Sequence, residues 1–194
     1  MKHQERNRFT RAFEALDQLA RAAHAPLAIV GGLAAIRYGY PAVTDDIDLV
    51  APTAALDSLL QAAPQFGFRI KWRSASGWHT LSFEDVEINI VPEGGKAKDS
   101  SPTSIPGPVA LGVSVGLDYA VLPGWIELKL SSGRTKDKTH VVEVLKQLDA
   151  PAIAEIEMHI AHVHETYAQL LRQLLDAAQE EKRQEADRGK SAGS

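Results

Sequence analysis

The segment Asp46-Ile47-Asp48-Leu49-Val50 constrains the fold of this 194-residue chain more than any other. Acidic and apolar side chains alternate in it with a period of two, the pattern of a β-strand with unlike faces. Ile47 and Leu49 leave one face and require a core. Asp46 and Asp48 leave the other, side by side, and repel one another unless a cation joins them. Such a strand has to sit in a sheet that is packed on one side while the other side offers two carboxylates to an ion or a ligand.

The flanking sequence supplies that sheet and its cover. Phe9, Phe13, Leu16, Leu19, Ala20 and Ala23 recur at three- and four-residue spacing, which predicts a helix over residues 4–23, ended by Pro26. Residues 27–30 suit a short buried strand. Gly31-Gly32 predicts a sharp turn into a helix over residues 33–38, broken at Gly39-Tyr40-Pro41. Pro52-Thr53 opens a helix to about residue 63, with Pro favoured in the first turn. Strands are expected over 68–73, 78–83 and 86–91, the last two joined by a tight turn at Glu84-Asp85. Residues 93–108 read as a long loop of the kind that is often functional. One or two short strands are expected within 113–121. Helices follow over 123–132, 136–148 and 151 to about 185, the last with an apolar seam from Ile153 to Leu175. The tail from Glu180 lacks large apolar residues and reads as frayed.

The expected class is therefore α/β (α+β): a small, mixed, twisted sheet flanked by helices, with a C-terminal helical extension. Its expected organisation is a core over 1–122, a helical part over 123–185 and a disordered tail over 186–194. At 44% apolar and 24% charged residues, the chain can bury an ordinary core. No stretch approaches the length of uncharged apolar sequence that spans a bilayer. The charged N-terminus is unlike a signal segment. The absence of cysteine excludes disulfides and thiolate metal sites. Together these point to the cytoplasm. A net charge of −4 argues against broad, sequence-independent nucleic-acid binding while leaving room for a local basic patch.

The chemistry centres on two pieces. Gly31-Gly32 lets the backbone approach a ligand closely because no Cβ intrudes, and the helix after it aims free N–H groups at the same point, a favourable place for phosphate. Asp46 and Asp48 offer oxygen ligands to a hard divalent ion, Mg²⁺ or Mn²⁺, which typically binds one or two carboxylates together with substrate phosphates. Two such ions stabilise both the attacking and the leaving oxygen in phosphoryl chemistry.

Gly31-Gly32, a short helix and then Thr44-x-Asp46-x-Asp48 resembles the signature of the DNA polymerase beta-like nucleotidyltransferase superfamily, and within it the AbiEii-like group, named for the toxin of a type IV toxin–antitoxin pair. A second stretch, from Leu122 through Lys129 and Gly133-Arg134 to Asp137, resembles that group's Leu-Pro-x-Leu-Ile-x-Leu-Lys-Leu-x-x-Gly-Arg-x-x-Asp pattern. The resemblance implies that Asp46 and Asp48 bind metal, that Gly31, Gly32 and Thr44 face the nucleotide, and that Lys129, Arg134 and Asp137 lie at the site's edge with the cations neutralising phosphate. It implies transfer of a nucleoside monophosphate from a nucleoside triphosphate to a hydroxyl on a tRNA end, a protein or a small molecule, with an antitoxin as partner and no membrane. Two positions depart from the pattern. Ala42 stands where relatives often carry Arg, for which Arg37 is the available substitute. Asn89 best matches the position of the third catalytic acid, with Glu87 two residues earlier on the same face. Either Glu87 serves after a register adjustment, or Asn89 fills the place. Asn can ligate a metal but cannot accept a proton, and the second case leaves a weakened or inactive nucleotide-binding module.

Plainer readings stand beside these. Asp45, Asp46 and Asp48 also suit turns and caps. Trp72 and Trp78 read first as hairpin packing, with base stacking the alternative. Glu155, His159 and His162 share a helical face with zinc-like spacing, but read first as the polar border of an amphipathic helix. Ser101, Thr103 and Ser104 could accept a modification, but read first as plain loop. The 151–185 seam raises a further alternative, a partner-binding protein.

Overall fold

The structure is a computed structural model that describes residues 2–41 and 43–191. Ala42, the position of the missing Arg, and residues 192–194 of the expected tail lie outside the described residues.

Strand β2 (Asp46–Ala51) lies inside a six-stranded mixed sheet. Its neighbours are β1 (Leu27–Ile29), antiparallel, and β5 (Val86–Pro92), parallel. The order across the sheet is β3-β4-β5-β2-β1-β6, with β3 (Arg69–Arg73) and β6 (Leu117–Tyr119) at the edges and β4 (His79–Phe83) beside β5. The period of two is realised as expected. Ile47, Leu49, Ile88, Ile90 and Leu81 point to one face, where they are buried with Leu16 and Leu19 of helix α1 (Lys2–Ala22) and Leu59 of α3 (Leu56–Ala62). Each large side chain buried there contributes about 1.5–3 kcal/mol relative to exposure, which locks the register and forces Asp46 and Asp48 to the opposite face.

That opposite face is only partly covered. Helix α2 (Gly31–Arg37) crosses it after β1, and Ala34 and Ala35 are small enough to pack close against Val50. Helices α4 (Leu122–Ser132), α5 (Thr135–Leu145), α6 (Ala150–Val163) and α7 (Glu165–Ser191) complete a second core around the fully buried Trp125. With β6 as the one strand found within 113–121, the described residues form the α/β (α+β) arrangement of six strands and seven α-helices.

Four local differences have physical causes. Gly31 is the first residue of α2 and takes φ +64°, so the turn expected before the helix is its own first residue. The helix expected from Pro52 opens as a 3₁₀ turn over Thr53–Ala55 and becomes α-helical only from Leu56. The single helix expected from Pro151 breaks at His164, which is extended (φ −166°, ψ 138°) and whose Nδ1 accepts a hydrogen bond from the Thr166 amide at 3.1 Å. This side-chain bond satisfies an amide at the start of α7, which runs to Ser191, past the expected end. The seam is not a free face either: Ile156, Ile160, Tyr167 and Leu171 are buried in the second core, so the partner-binding reading loses its motive.

Candidate active site

Gly31 makes the closest approach of any described glycine. An added Cβ there would stand 1.9 Å from Asp48 Oδ2, and the left-handed φ is one that glycine adopts freely. Its carbonyl accepts a hydrogen bond from the Trp125 indole N–H at 3.1 Å, which ties the β1–α2 turn to α4. At Gly32 a Cβ would meet Thr44 Oγ1 at 3.0 Å, and that hydroxyl donates to Asp46 Oδ1 at 2.5 Å. The two glycines thus let two backbone units rest on the two acidic side chains.

Across the sheet, β2 and β5 pair Asp46 with Glu87 and Asp48 with Asn89. Asn89 Nδ2 donates to Asp48 Oδ1 at 3.2 Å, and Asn89 Oδ1 accepts from Thr80 Oγ1 at 3.3 Å. The Asp48 carboxyl is pushed up from its ordinary value by burial and by the neighbouring Asp46 charge, against the opposing pull of Asn89, Lys129 and Arg134. Burial and like charge together are the conditions that a bound cation relieves. The donor set, two carboxylates side by side, is all oxygen and suits a hard divalent ion.

The facing wall is cationic. Gly133, at φ +61°, turns α4 into α5 and brings Lys129 and Asp137 together at 2.7 Å, both almost fully buried. Arg134 Nε reaches the other oxygen of Asp137 at 2.7 Å, and the Ser132 hydroxyl donates to it as well. Burial alone would raise this carboxyl, but Lys129, Ser132 and Arg134 overcome it and hold Asp137 at about 2. Lys129 also lies over the Trp125 ring at 5.6 Å.

Between the walls is a cavity of about 720 Å³. Gly31, Gly32, Thr44, Asp46, Asp48 and Asn89 line one side; Lys129, Arg134 and Asp137 line the other. Nine of the eleven residues predicted from sequence therefore share one space. Glu87 projects from the same face but is exposed and outside the lining. Arg37 sits on the exposed end of α2, also outside it.

Sequence reasoning missed Lys98, Lys136, Thr80, Trp125 and His140, all of which line the cavity. Lys98 comes from the 93–108 loop, whose length was the available signal. The loop is fastened by Gly94–Ile105 and Gly95–Ile105 backbone bonds and by Ser101, whose buried hydroxyl donates to the Ser131 carbonyl at 2.9 Å. Ser101 is thereby structural and not an exposed acceptor for modification. His140 packs against the Tyr40 ring at 4.6 Å, and its Nδ1 is buried without a hydrogen-bond partner. Burial and the nearby Lys129 charge keep this imidazole neutral to lower pH than usual. The two tryptophans divide: Trp78 packs against the second core, whereas Trp72 is 55% exposed at the cavity's edge. His159 bonds Glu127 at 2.8 Å and His162 Nδ1 bonds the Met158 carbonyl at 2.6 Å, so these two histidines serve helix contacts. Among the described residues no three His, Cys, Asp or Glu side chains form a metal-ligand cluster.

No family model matches the chain, and no curated protein does. Among solved structures, the antibiotic-resistance factor ANT(2'')-Ia superposes with a TM-score of 0.46 at 17% identity, covering 100% of each chain. A nucleotidyltransferase from H. pylori gives 0.43 at 14%, covering 93% of this chain and 96% of that one. A CCA-adding enzyme in complex with ATP gives 0.40 at 14%, covering 86% of this chain and 46% of that one, so this chain spans about half its length. These are likenesses in outline at low identity, and it is the geometry of the cavity that bears on function.

Proposed function

We propose that the chain is a metal-dependent nucleotidyltransferase that moves a nucleoside monophosphate from a nucleoside triphosphate to a hydroxyl. The observation that carries this reading is the opposition of the Asp46–Asp48 pair, seated on the Gly31 turn, to Lys98, Lys129, Arg134 and Lys136 across one cavity. A triphosphate is the ligand that needs both sides: cations for its oxygens and carboxylates for the metal it brings.

Asp46 and Asp48 would hold Mg²⁺ or Mn²⁺, while Asn89 turns its Nδ2 to Asp48 and its Oδ1 to Thr80. When bound, the ion supplies Lewis acidity at the α-phosphate and neutralises developing charge. The chain's own residues do the rest. Gly31 and Gly32 keep the acidic end open to the phosphates. Lys129 and Arg134 are both tied to Asp137 at 2.7 Å, Lys129 buried and Arg134 with its side chain 76% exposed. The acceptor oxygen bonds to the α-phosphorus, the bond to the β-bridging oxygen breaks, and pyrophosphate leaves. Of the three carboxylates in the lining, Asp137 is held by two cations, which leaves Asp46 and Asp48 to take the hydroxyl proton. Glu87 has no part in this scheme. Catalysis of this kind is mostly positioning and electrostatics.

The test is nucleoside triphosphate binding with Mg²⁺ by wild type, Asp46→Ala and Asp48→Ala. Equal binding by all three would remove the site. One observation favours a second reading: the third position is an amide that already bonds Asp48. A binding module with weakened chemistry is expected to bind nucleotide and transfer nothing. Labelled triphosphates incubated with cellular RNA and protein separate the two, since transfer lost in the Asp46 variant supports the enzyme. In the weakened case, Asn89→Asp should raise transfer. The resemblance to AbiEii-like toxins adds a cytoplasmic toxin role with an antitoxin partner. Growth arrest on induction, abolished by Asp46→Ala, is the outcome that role requires.

A further inference from the structure

The Asp48 carboxylate has a neighbour that limits what it can share with an ion. Asn89 stands opposite it on β5, and Thr80 stands opposite Asn89 on β4, so the three side chains follow one another across the cavity face. A carboxylate only accepts hydrogen bonds, whereas a hydroxyl both donates and accepts. The row is therefore bonded throughout in one sense: Asn89 turns its Nδ2 to Asp48 Oδ1 at 3.2 Å, and its Oδ1 accepts from the Thr80 hydroxyl at 3.3 Å. Turned over, the amide would set its oxygen against the Asp48 oxygen and lose that bond. An amide nitrogen shares its lone pair with the carbonyl and has none to give a metal, and its hydrogens repel a cation. The side of Asp48 that faces β5 is thus closed to an ion by a group that already brings positive charge there.

Few anionic oxygens remain. Asp46 Oδ1 accepts from Thr44 at 2.5 Å, so each aspartate has one oxygen committed to a hydrogen bond and one, Oδ2, without such a partner among the described residues. Asp48 Oδ2 lies against Gly31. A second ion needs ligands of its own, and the other carboxylates nearby do not offer them. Asp137 is held by Lys129 and Arg134, each at 2.7 Å. Glu87 is exposed and outside the cavity lining, and Asp45 is exposed and faces Arg8 at 3.8 Å. Two carboxylates match the share of a single Mg²⁺ that completes its shell with phosphates and water. They fall short of a two-ion site, whose metals stand about 3.5–4 Å apart.

Resting on the nucleotidyltransferase reading, we infer that this chain takes one divalent ion, the one that arrives with the triphosphate, and that the Asn89 amide fills the place of a second. Asn89 is a positioning residue: it acts on the ion count through Asp48, with Thr80 satisfying its oxygen. The acceptor hydroxyl then meets no ion of its own. Replacing the amide by a carboxylate would put a third acidic side chain on the face that carries Asp46 and Asp48, and with it the ligand that a second ion lacks.

The test is a count of ions that does not depend on turnover. The full chain, saturated with α,β-methylene ATP so that no transfer occurs, is dialysed against increasing Mn²⁺, and bound Mn²⁺ is counted per bound nucleotide. EPR spectra of the same samples show whether the Mn²⁺ ions are isolated or magnetically coupled as close neighbours. Wild type is expected to bind one Mn²⁺ per nucleotide, with an uncoupled spectrum. Asn89→Asp, shown by thermal melting to be folded, is expected to double the count and to show coupling. A coupled pair in wild type would overturn the inference, and that measurement needs no variant, so it decides the matter even where Asn89→Asp does not fold. A single uncoupled Mn²⁺ in folded Asn89→Asp would overturn it as well, because something other than the amide would then set the count. Wild type that retains neither nucleotide nor Mn²⁺ would defeat the underlying reading, whereas retained nucleotide with a coupled pair would defeat the single-ion inference alone.

Discussion

The cavity holds two carboxylates in opposite conditions, one buried and one half-buried. Asp137 is compensated: Lys129 and Arg134 each approach it at 2.7 Å, and its carboxyl is drawn down to about 2. Asp48 is uncompensated: its close partners are another carboxylate and one amide, and its carboxyl is pushed up. The same residue type, a few side chains away, serves in one place as a structural tie and in the other as a reserve of unrelieved charge. A fold keeps the second only where something external completes it, and this difference is what separates the part of the cavity that holds the protein together from the part that waits for a ligand.

The largest expected effect is on the compensated side. Asp137→Ala leaves Lys129, almost fully buried, without its counter-ion. Removing one partner of a buried pair typically destabilises by about 3–5 kcal/mol, and urea denaturation should show a loss of that order. A loss under about 1 kcal/mol would mean that water reaches Lys129 and that the two sides are not different in kind.

Gly31→Ala probes the other side. A β-carbon forced into the left-handed region costs about 1–2 kcal/mol, and the overlap with Asp48 Oδ2 adds an overpacking term of about 1–3 kcal/mol. The combined loss, about 2–5 kcal/mol by urea, should come with loss of triphosphate binding, because relief of the clash moves Asp48. Asp137→Ala and Gly31→Ala together then report whether the β1–α2 turn and the α4–α5 turn are held independently. The Trp125 bond and the charges of Lys129 and Arg134 near Asp48 join the two, so the losses should depart from additivity by about 0.5 kcal/mol or more.

Much of this was legible in the chain and some was not, for reasons that are local. The period-two alternation at 46–50 fixed which side of β2 is buried, because Ile47 and Leu49 have no other place to go. The Gly31-Gly32 pair signalled close approach correctly, but not what is approached: contact with Asp48 depends on β1 and β2 pairing antiparallel, which no spacing along the chain encodes. Lys129, Arg134 and Asp137 were visible as a group through their motif, yet their mutual neutralisation depends on the left-handed Gly133. Thr80 and Asn89 meet only through the β4–β5 register. Lys98 arrives on a loop whose path is set by Ser101, and a hydroxyl bonding a distant carbonyl leaves no pattern in sequence. Glu87 shows the limit from the other direction, since the right face of the right strand is one residue pair away from the cavity.

An intermediate effect comes from acid. The Asp137 carboxyl falls from 3.8 to about 2 on folding, so its contribution is fully present above about pH 4 and is lost as pH falls toward 2. The depression corresponds to about 2 kcal/mol, part of which solvent around the exposed Arg134 screens away. The stability gap between wild type and Asp137→Asn should therefore narrow by about 1–2 kcal/mol over that window. A gap that stays constant to pH 2 would show that hydrogen bonding, not charge, accounts for the tie.

The smallest effect should carry the opposite sign. Asp48→Asn keeps the side chain's shape and still offers Oδ1 to the Asn89 amide, while removing the like charge beside Asp46. With divalent ions chelated, the variant is expected to match wild type or exceed it by up to about 1 kcal/mol, where the corresponding change at Asp137 can only destabilise. Addition of millimolar Mg²⁺ should then reverse the ranking, because an ion that binds only the folded wild type stabilises it in proportion to the logarithm of its occupancy. Thermal melts of the two proteins with chelator and with Mg²⁺ make the measurement, and the crossing of the two is its readout. Should Asp48→Asn melt well below wild type in chelator, Asp48 would be serving the fold as Asp137 does, and the contrast between the two carboxylates would be gone.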